Sequence, residues 1–279
     1  MDKKIKLIST KSVVSLSVTG SYCELSCKHC NKKYLNSMID IKDENLNDFF
    51  KEKNTALISG GSLKNGSVPF YLEYEKVKKL KEKGISINAH TGYIPSEQFS
   101  KTLIFDAISI DIVGSNKILK EIYNLNVDLK ELQENLLNYN DFLQKIEEKK
   151  PIIVPHITIG IYYGKDSYEE QAIDFIAKIN PEKLVLNVLM PTKNTFFEKI
   201  KEIEINRILE VYSYAKNKLG INKIYLGCMR PFGKFREKLD FALLENGING
   251  IVNPSKKLFC FLEKNQENFI KLNGCCSLL

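Results

Sequence analysis

Short apolar runs alternate along the chain with longer stretches whose apolar positions recur every three or four residues. The short runs fall at 13–19, 55–59, 85–89, 107–112, 152–162, 184–190, 223–227 and 248–252, and each has the length and boundaries of a strand. Helical spacing fills 42–53, 72–83, 129–149, 168–179, 203–219, 235–245 and 256–266. Gly84, Gly220 and Gly247 stand where three of these stretches stop, and Pro151 follows a fourth. This alternation predicts an α/β fold, a parallel (β/α)8 barrel of the TIM type over 1–279 as one domain. An open doubly wound sheet is the other arrangement the pattern allows.

A barrel gathers its chemistry at the C-terminal ends of its strands. In this chain the unusual residues follow that rule. Cys23, Cys27 and Cys30 come after the first strand, and Ser59-Gly60-Gly61 ends the second. His90 follows the third, Asp111 lies late in the fourth, and His156 lies within the fifth. Pro191-Thr192, Cys228 and Asn253 to Ser255 end the last three.

Composition narrows the classes. Of 279 residues, 43% are hydrophobic and 27% charged, an ordinary globular balance. The formal charge of +7 is that of a lysine-rich surface and suits an acidic partner. No basic run with interleaved aromatics marks a nucleic-acid groove. The first residues lack the apolar run of a signal peptide, and no stretch approaches the ~20 apolar residues of a membrane span, so a soluble, cytoplasmic protein is expected. Seven cysteines, an odd number in such a chain, point to metal or redox chemistry rather than to a disulfide framework.

The most specific signal is Cys23-Glu24-Leu25-Ser26-Cys27-Lys28-His29-Cys30. Three thiolates on one short loop suit three irons of a cubane and leave the fourth iron open or bound elsewhere. A structural zinc site would want four ligands in paired knuckles, an arrangement absent here.

This spacing resembles the radical S-adenosylmethionine superfamily. The resemblance implies a 4Fe–4S cluster whose open iron holds the methionyl group of S-adenosylmethionine, and reductive cleavage to a 5′-deoxyadenosyl radical. It also implies cofactor contacts from Ser59, Gly60 and Gly61 near the methionyl amine, from His156 near the adenine, and from His29, His90 and Asp111 around them. Ser62 stands where the family usually has an acidic residue.

Over most of its length the sequence looks like the biotin synthase group, closest to archaeal-type two-component lipoyl synthase subunits. The likeness lies in Thr19 to Leu25 with His29 to Asn31 and Tyr34-Leu35, in Ala89 to Gly92, Val154 to Thr158, Leu189 to Thr192 and Gly227 to Pro231, and in Asn249 to Ile251 followed by Asn253 to Ser255. It implies sulfur insertion into a protein-bound octanoyl chain, with an octanoylated lipoyl-carrier protein as substrate. A paralogous partner subunit and a low-potential donor of the ferredoxin or flavodoxin type are also implied. Such enzymes need a sulfur source, so Cys228, Cys260, Cys275 and Cys276 are candidate ligands of an auxiliary iron–sulfur cluster, reached by a tail, 269–279, folded across the barrel mouth. A biotin synthase-like enzyme with another substrate, and a non-catalytic iron–sulfur electron carrier, are the competing expectations.

Overall fold

The strands of the core are nearly continuous aliphatic runs, the pattern of a parallel sheet covered on its faces. The computed structural model describes residues 4–265 and 268–279. In chain order it runs β1 (Ile5–Ser9), β2 (Val13–Ser17), β3 (Ile39–Asp40), β4 (Thr55–Ser59), α1 (Tyr74–Glu82), β5 (Ser86–His90) and β6 (Ala107–Asp111). Then come α2 (Asn116–Glu121), α3 (Leu129–Gln144), β7 (Ile152–Ile159), α4 (Glu169–Ile179), β8 (Leu184–Val188) and α5 (Ile205–Leu219). The last elements are β9 (Ile224–Leu226), α6 (Lys234–Glu245), β10 (Gly250–Val252), α7 (Lys256–Lys264) and β11 (Phe269–Asn273). The expected last helix extended to residue 266, which lies outside the described residues.

All ladders are parallel, in the order β11-β1-β10-β9-β8-β7-β6-β5-β4-β2-β3. The expected closed eight-stranded barrel is therefore corrected to a curled, open sheet of eleven strands. Closure would require β10 to ladder onto β2. Instead β1 takes the free edge of β10, pairing Lys6 with Gly250 and Ile8 with Val252, and β11 adds to the far side of β1. The free edge of β2 is taken by β3. β1 and β2 stand near opposite ends of the ladder order yet are joined by residues 10–12 alone, a span of at most ~15 Å. The sheet must curl until its two ends approach.

One face of the sheet carries Ile108, Ile110, Ile153, Ile157, Leu184 and Leu186 against the helices, where Ile173, Ile176, Ile208 and Val211 complete the buried core. Because strand side chains alternate, the opposite face lines the hollow, and it mixes the apolar Ala107, Val154 and Val185 with Asn88, Ser109, His156 and Asn187, all buried there.

The helix expected over 42–53 is only a 3-10 turn, Leu46–Phe50. Asp40 and Asp43 accept the amides of Lys42 and Asn45, both at 2.8 Å, and these local bonds compete with helix formation. Helices α3 and α7 open on side-chain caps. Asp128 accepts from Lys130 N at 2.8 Å to open α3, and Ser255 accepts from Leu258 N at 3.3 Å to open α7.

Candidate active site

The loop after β2 is fixed from two sides. On the first, Thr19 Oγ1 accepts the Gly61 amide at 2.7 Å, and Glu24 N donates to Ser62 O at 2.8 Å. Ser62 N donates to Cys23 Sγ at 3.3 Å. The chain passes so close here that a Cβ on Gly61 would sit 1.9 Å from Tyr22 O and 2.5 Å from Cys23 Cβ. Only glycine permits that approach. On the second side, the C-terminal end of α2 takes the loop: Lys28 N donates to Ile122 O at 2.8 Å, and Cys27 Sγ to Tyr123 O at 3.3 Å.

The three thiols therefore stand on a rigid cradle. Cys27 and Cys30 share a hydrogen bond that holds the Cys30 thiol down to about 7 and pushes Cys27 up. Among the described residues, Asp166, Glu169 and Glu170 are the one group of potential ligand atoms that converges within 4.8 Å. The three sulfurs do not all lie within 4.8 Å of one another. A donor set of three thiols on one short loop has the chemistry to hold iron of a multi-iron group. The acidic trio is already engaged, since Arg207 donates to Glu170 at 2.7 and 2.9 Å and to Glu169 at 3.0 Å.

Around the loop the expected cofactor contacts divide. Ser59, Gly60 and Gly61 are at the cradle, bonded through Val18 N to Ser59 O at 2.8 Å. The His29 ring packs edge-on against Tyr123, with centroids 5.1 Å apart, and its Nδ1 has no partner. Burial lowers its pKa to about 4. His90 and His156 stack obliquely with centroids 5.0 Å apart in the hollow below, and Asp111 lies beside them. Burial pushes Asp111 up and holds His156 down to about 3, with His156 Nδ1 3.0 Å from Val154 O.

A cleft begins at Ser62, His90 and Asp111 and runs toward α3, where Leu25, Leu125 and Leu132 make its wall apolar.

A second group of cysteines occupies the same hollow. Residues 269–273, expected within a tail over the mouth, form β11, and 274–279 turn inward. There Cys275 and Cys276, both buried, pack among Ala107, Val154, Val185 and Tyr225, against the N-terminal halves of β6 to β9 rather than over the mouth. Asn88 Nδ2 lies 3.2 Å from Cys275 Sγ. Ser277 Oγ meets Ser109 Oγ at 2.8 Å, and Lys183 Nζ reaches Leu279 O. Cys228 packs at the edge of this cluster. Its thiol is pushed up by burial and by the neighbouring Cys275, whereas the bond from Cys276 holds Cys275 down to about 7. Cys260 does not join them: it is exposed on α7, on the outer side of the sheet.

The loop bearing Cys228 is held by two arginines. Arg230, fully buried, pairs with Asp240 at 2.9 Å and donates to Gly227 O at 2.5 Å and Val252 O at 2.7 Å. Arg236 donates to Arg230 O at 2.8 Å.

The sequence reading missed Asn88, Ser109, Glu169 and this arginine pair. A signal was present for the first two, polar side chains at inward positions of otherwise apolar strands. Glu169 accepts the amides of Gly160 and Ser167, both at 2.8 Å, a contact no local pattern announces.

No family model matches the chain. A search of solved structures finds the same fold at low identity. The FeFe-hydrogenase maturase HydG superposes with a TM-score of 0.64 at 14% identity over 89% of this chain. The chain spans 57% of that HydG chain. Hydroxymethylglutaryl-CoA lyase of Bacillus subtilis gives 0.59 at 14% identity, covering 96% of this chain and 88% of that one. Methylornithine synthase PylB gives 0.51 at 12% identity, covering 92% and 86%. The chain has the fold these enzymes share. Because lyases and maturases both adopt it, the fold leaves the chemistry to the site. A curated relative, the kinesin-like protein KIF15-A of Xenopus laevis, is 24% identical over 204 residues. That segment is 69% of this chain but 15% of the kinesin, too slight a likeness to carry family or function.

No helix among the described residues is long and apolar enough to cross a membrane.

Proposed function

We propose that the chain is a radical S-adenosylmethionine enzyme that inserts sulfur into a protein-bound octanoyl chain. The observation that carries the radical reading is the three-thiol loop after β2, clamped by Gly61 at a distance no side chain tolerates. Cys23, Cys27 and Cys30 would hold a 4Fe–4S cluster. When bound, that cluster supplies the electron that cleaves S-adenosylmethionine to a 5′-deoxyadenosyl radical.

The chain's own residues have separate tasks. Half-buried Ser59 and Gly60 and buried Gly61 would meet the methionyl end with backbone alone, their small or absent side chains leaving room for the approach. His29 and Tyr123 give an apolar, edge-packed wall. Exposed Asp111, half-buried His90 and buried His156 would offer hydrogen bonds to ribose or substrate. The walls of the hollow keep bulk water from a radical, which protects it from side reactions.

For the sulfur source, Cys228, Cys275 and Cys276 are the candidate ligands of an auxiliary iron–sulfur cluster. The buried meeting of two tail thiols with a third from the end of β9 supports this. Exposed Cys260 has no place in that set. The apolar arm of the cavity suits an aliphatic chain. An acidic octanoylated carrier protein, a paralogous partner subunit and a ferredoxin- or flavodoxin-type donor belong to the same reading.

A second reading, a biotin synthase-like enzyme acting on a polar small molecule, is favoured by one observation. The cavity is lined by His90, Asp111, Gln133 and Asn135 as well as by leucines, where an alkyl chain would prefer aliphatic neighbours throughout.

Iron and sulfide content after anaerobic reconstitution tests the proposal. About eight irons in the wild type, falling to about four in Cys23→Ala/Cys27→Ala/Cys30→Ala and to about four in Cys228→Ala/Cys275→Ala/Cys276→Ala, is the expected result. About four irons in the wild type, all lost with the first triple variant, would remove the sulfur source and leave the second reading.

A further inference from the structure

Large apolar side chains exposed to water are informative when they gather. Three of the most exposed stand on loops that follow strands, at the mouth that holds the cysteine loop. Tyr22 after β2 is 59% exposed, Phe196 after β8 is 80%, and Phe232 after β9 is 70%. β8 and β9 are hydrogen-bonded neighbours, so Phe196 and Phe232 lie on adjacent loops. Cross-links join the first two regions. Lys33 Nζ donates to Lys193 O at 2.7 Å, and Tyr34 Oη meets Thr192 Oγ1 at 3.0 Å.

Each phenylalanine also carries a cation. Lys28 Nζ lies 6.0 Å from the Phe196 ring centre, and the Arg236 guanidinium 4.3 Å from that of Phe232. Residues 21–34, 190–201 and 231–236 together hold eight lysines and arginines against two glutamates. One of the two, Glu198, is occupied by the Asn194 amide at 2.9 Å. These three segments carry a net charge of +6 (eight positive less two negative), against +7 for the chain.

We infer that this aromatic, basic rim is the docking surface for an acidic protein that presents its substrate group into the hollow as a tethered arm. Exposed aromatics ringed by cations have the composition of the anchoring part of a protein interface, and complementary charge guides the encounter. The cavity beneath joins a wall of leucines at α3 to Tyr93, Tyr123, Gln133 and Asn135. The leucine wall suits an aliphatic arm carried by a protein. This inference rests on the proposed function for the identity of the arm, an octanoyl-lysyl group.

The test uses the reconstituted enzyme, a purified octanoylated carrier domain of net negative charge, and the variant Phe196→Ser/Phe232→Ser/Lys193→Glu/Lys199→Glu, whose four side chains lie in no catalytic contact. Binding is measured by calorimetry at two salt concentrations, beside turnover of the carrier and of a free octanoyl-lysyl peptide. The expected result is a Kd for the carrier at least ten-fold higher in the variant, a shallower salt dependence, and an unchanged KM for the free peptide. Lys78→Glu/Lys79→Glu, on exposed positions of α1, is expected to bind as the wild type does. An unchanged Kd in the rim variant overturns the surface. Rim-dependent binding of transfer RNA or of reduced flavodoxin in place of the carrier overturns the partner. Rim-dependent binding of the carrier without conversion of carrier or peptide upholds the docking and rejects the octanoyl reading, so the two failures are distinguishable.

Discussion

Asn88 on β5 and Cys275 near the end of the chain are 187 positions apart, and their side chains meet at 3.2 Å in the buried hollow of the sheet. Asn88 Oδ1 also accepts from Ser109 Oγ at 3.0 Å, and Ser109 in turn meets Ser277 at 2.8 Å. Two strands and the tail are thereby held in one polar network. Leaving any member of such a network unpaired costs about 1–3 kcal/mol.

The variant Asn88→Leu removes both bonds and leaves Ser109 and the tail thiol without that partner. It should lower unfolding stability by about 1–3 kcal/mol in urea titration. It should also raise the alkylation rate of Cys275 and Cys276 in the native protein. Retained protection of both thiols would show that the tail is held by apolar packing alone.

Gly61→Ala tests the cradle. Its Cβ would lie 1.9 Å from Tyr22 O, so the cysteine loop must move. The variant should keep the far-ultraviolet dichroism of the wild type and bind about half its iron after reconstitution, or none if only one cluster exists. Full iron content would mean that the close approach is dispensable.

Buried histidine sets a pH dependence of stability. Burial holds His156 down to about 3, so it stays neutral in the folded chain. An unfolded histidine titrates near 6.5. The contribution is therefore complete above pH ~6.5 and is lost as the pH falls toward 3, at about 1.4 kcal/mol per unit. At pH 5 the loss from His156 is about 2 kcal/mol. His156→Gln should flatten the stability profile between pH 6.5 and 4.5 in denaturant titrations. An equal slope in wild type and variant would contradict this.

Most of the fold was legible because its strands and helices carry strong, local periodicity, as in Ala107–Asp111 and Leu129–Gln144. The open sheet was not. β1 begins amid lysines and has no long apolar run, and only its pairing with β10 and β11 makes it a strand. β11 reads Phe-Ile-Lys-Leu-Asn and looks like a polar tail until its neighbour is known. The cysteine loop could be read directly, because its three cysteines lie within eight residues. The second cysteine group was legible only as a set of candidates. What separates Cys275 and Cys276 from Cys260 is burial in the hollow, which depends on where the last six residues go. Sequence spacing carries no information about that path.

The central claim is that the loop of Cys23, Cys27 and Cys30 supports reductive cleavage of S-adenosylmethionine. It is tested most directly by incubating anaerobically reconstituted protein with S-adenosylmethionine and dithionite, and quantifying 5′-deoxyadenosine by mass spectrometry. The account predicts 5′-deoxyadenosine from the wild type and none above background from Cys23→Ala/Cys27→Ala/Cys30→Ala. A wild-type protein that carries the iron of a full cluster on that loop and yet forms no 5′-deoxyadenosine would contradict it.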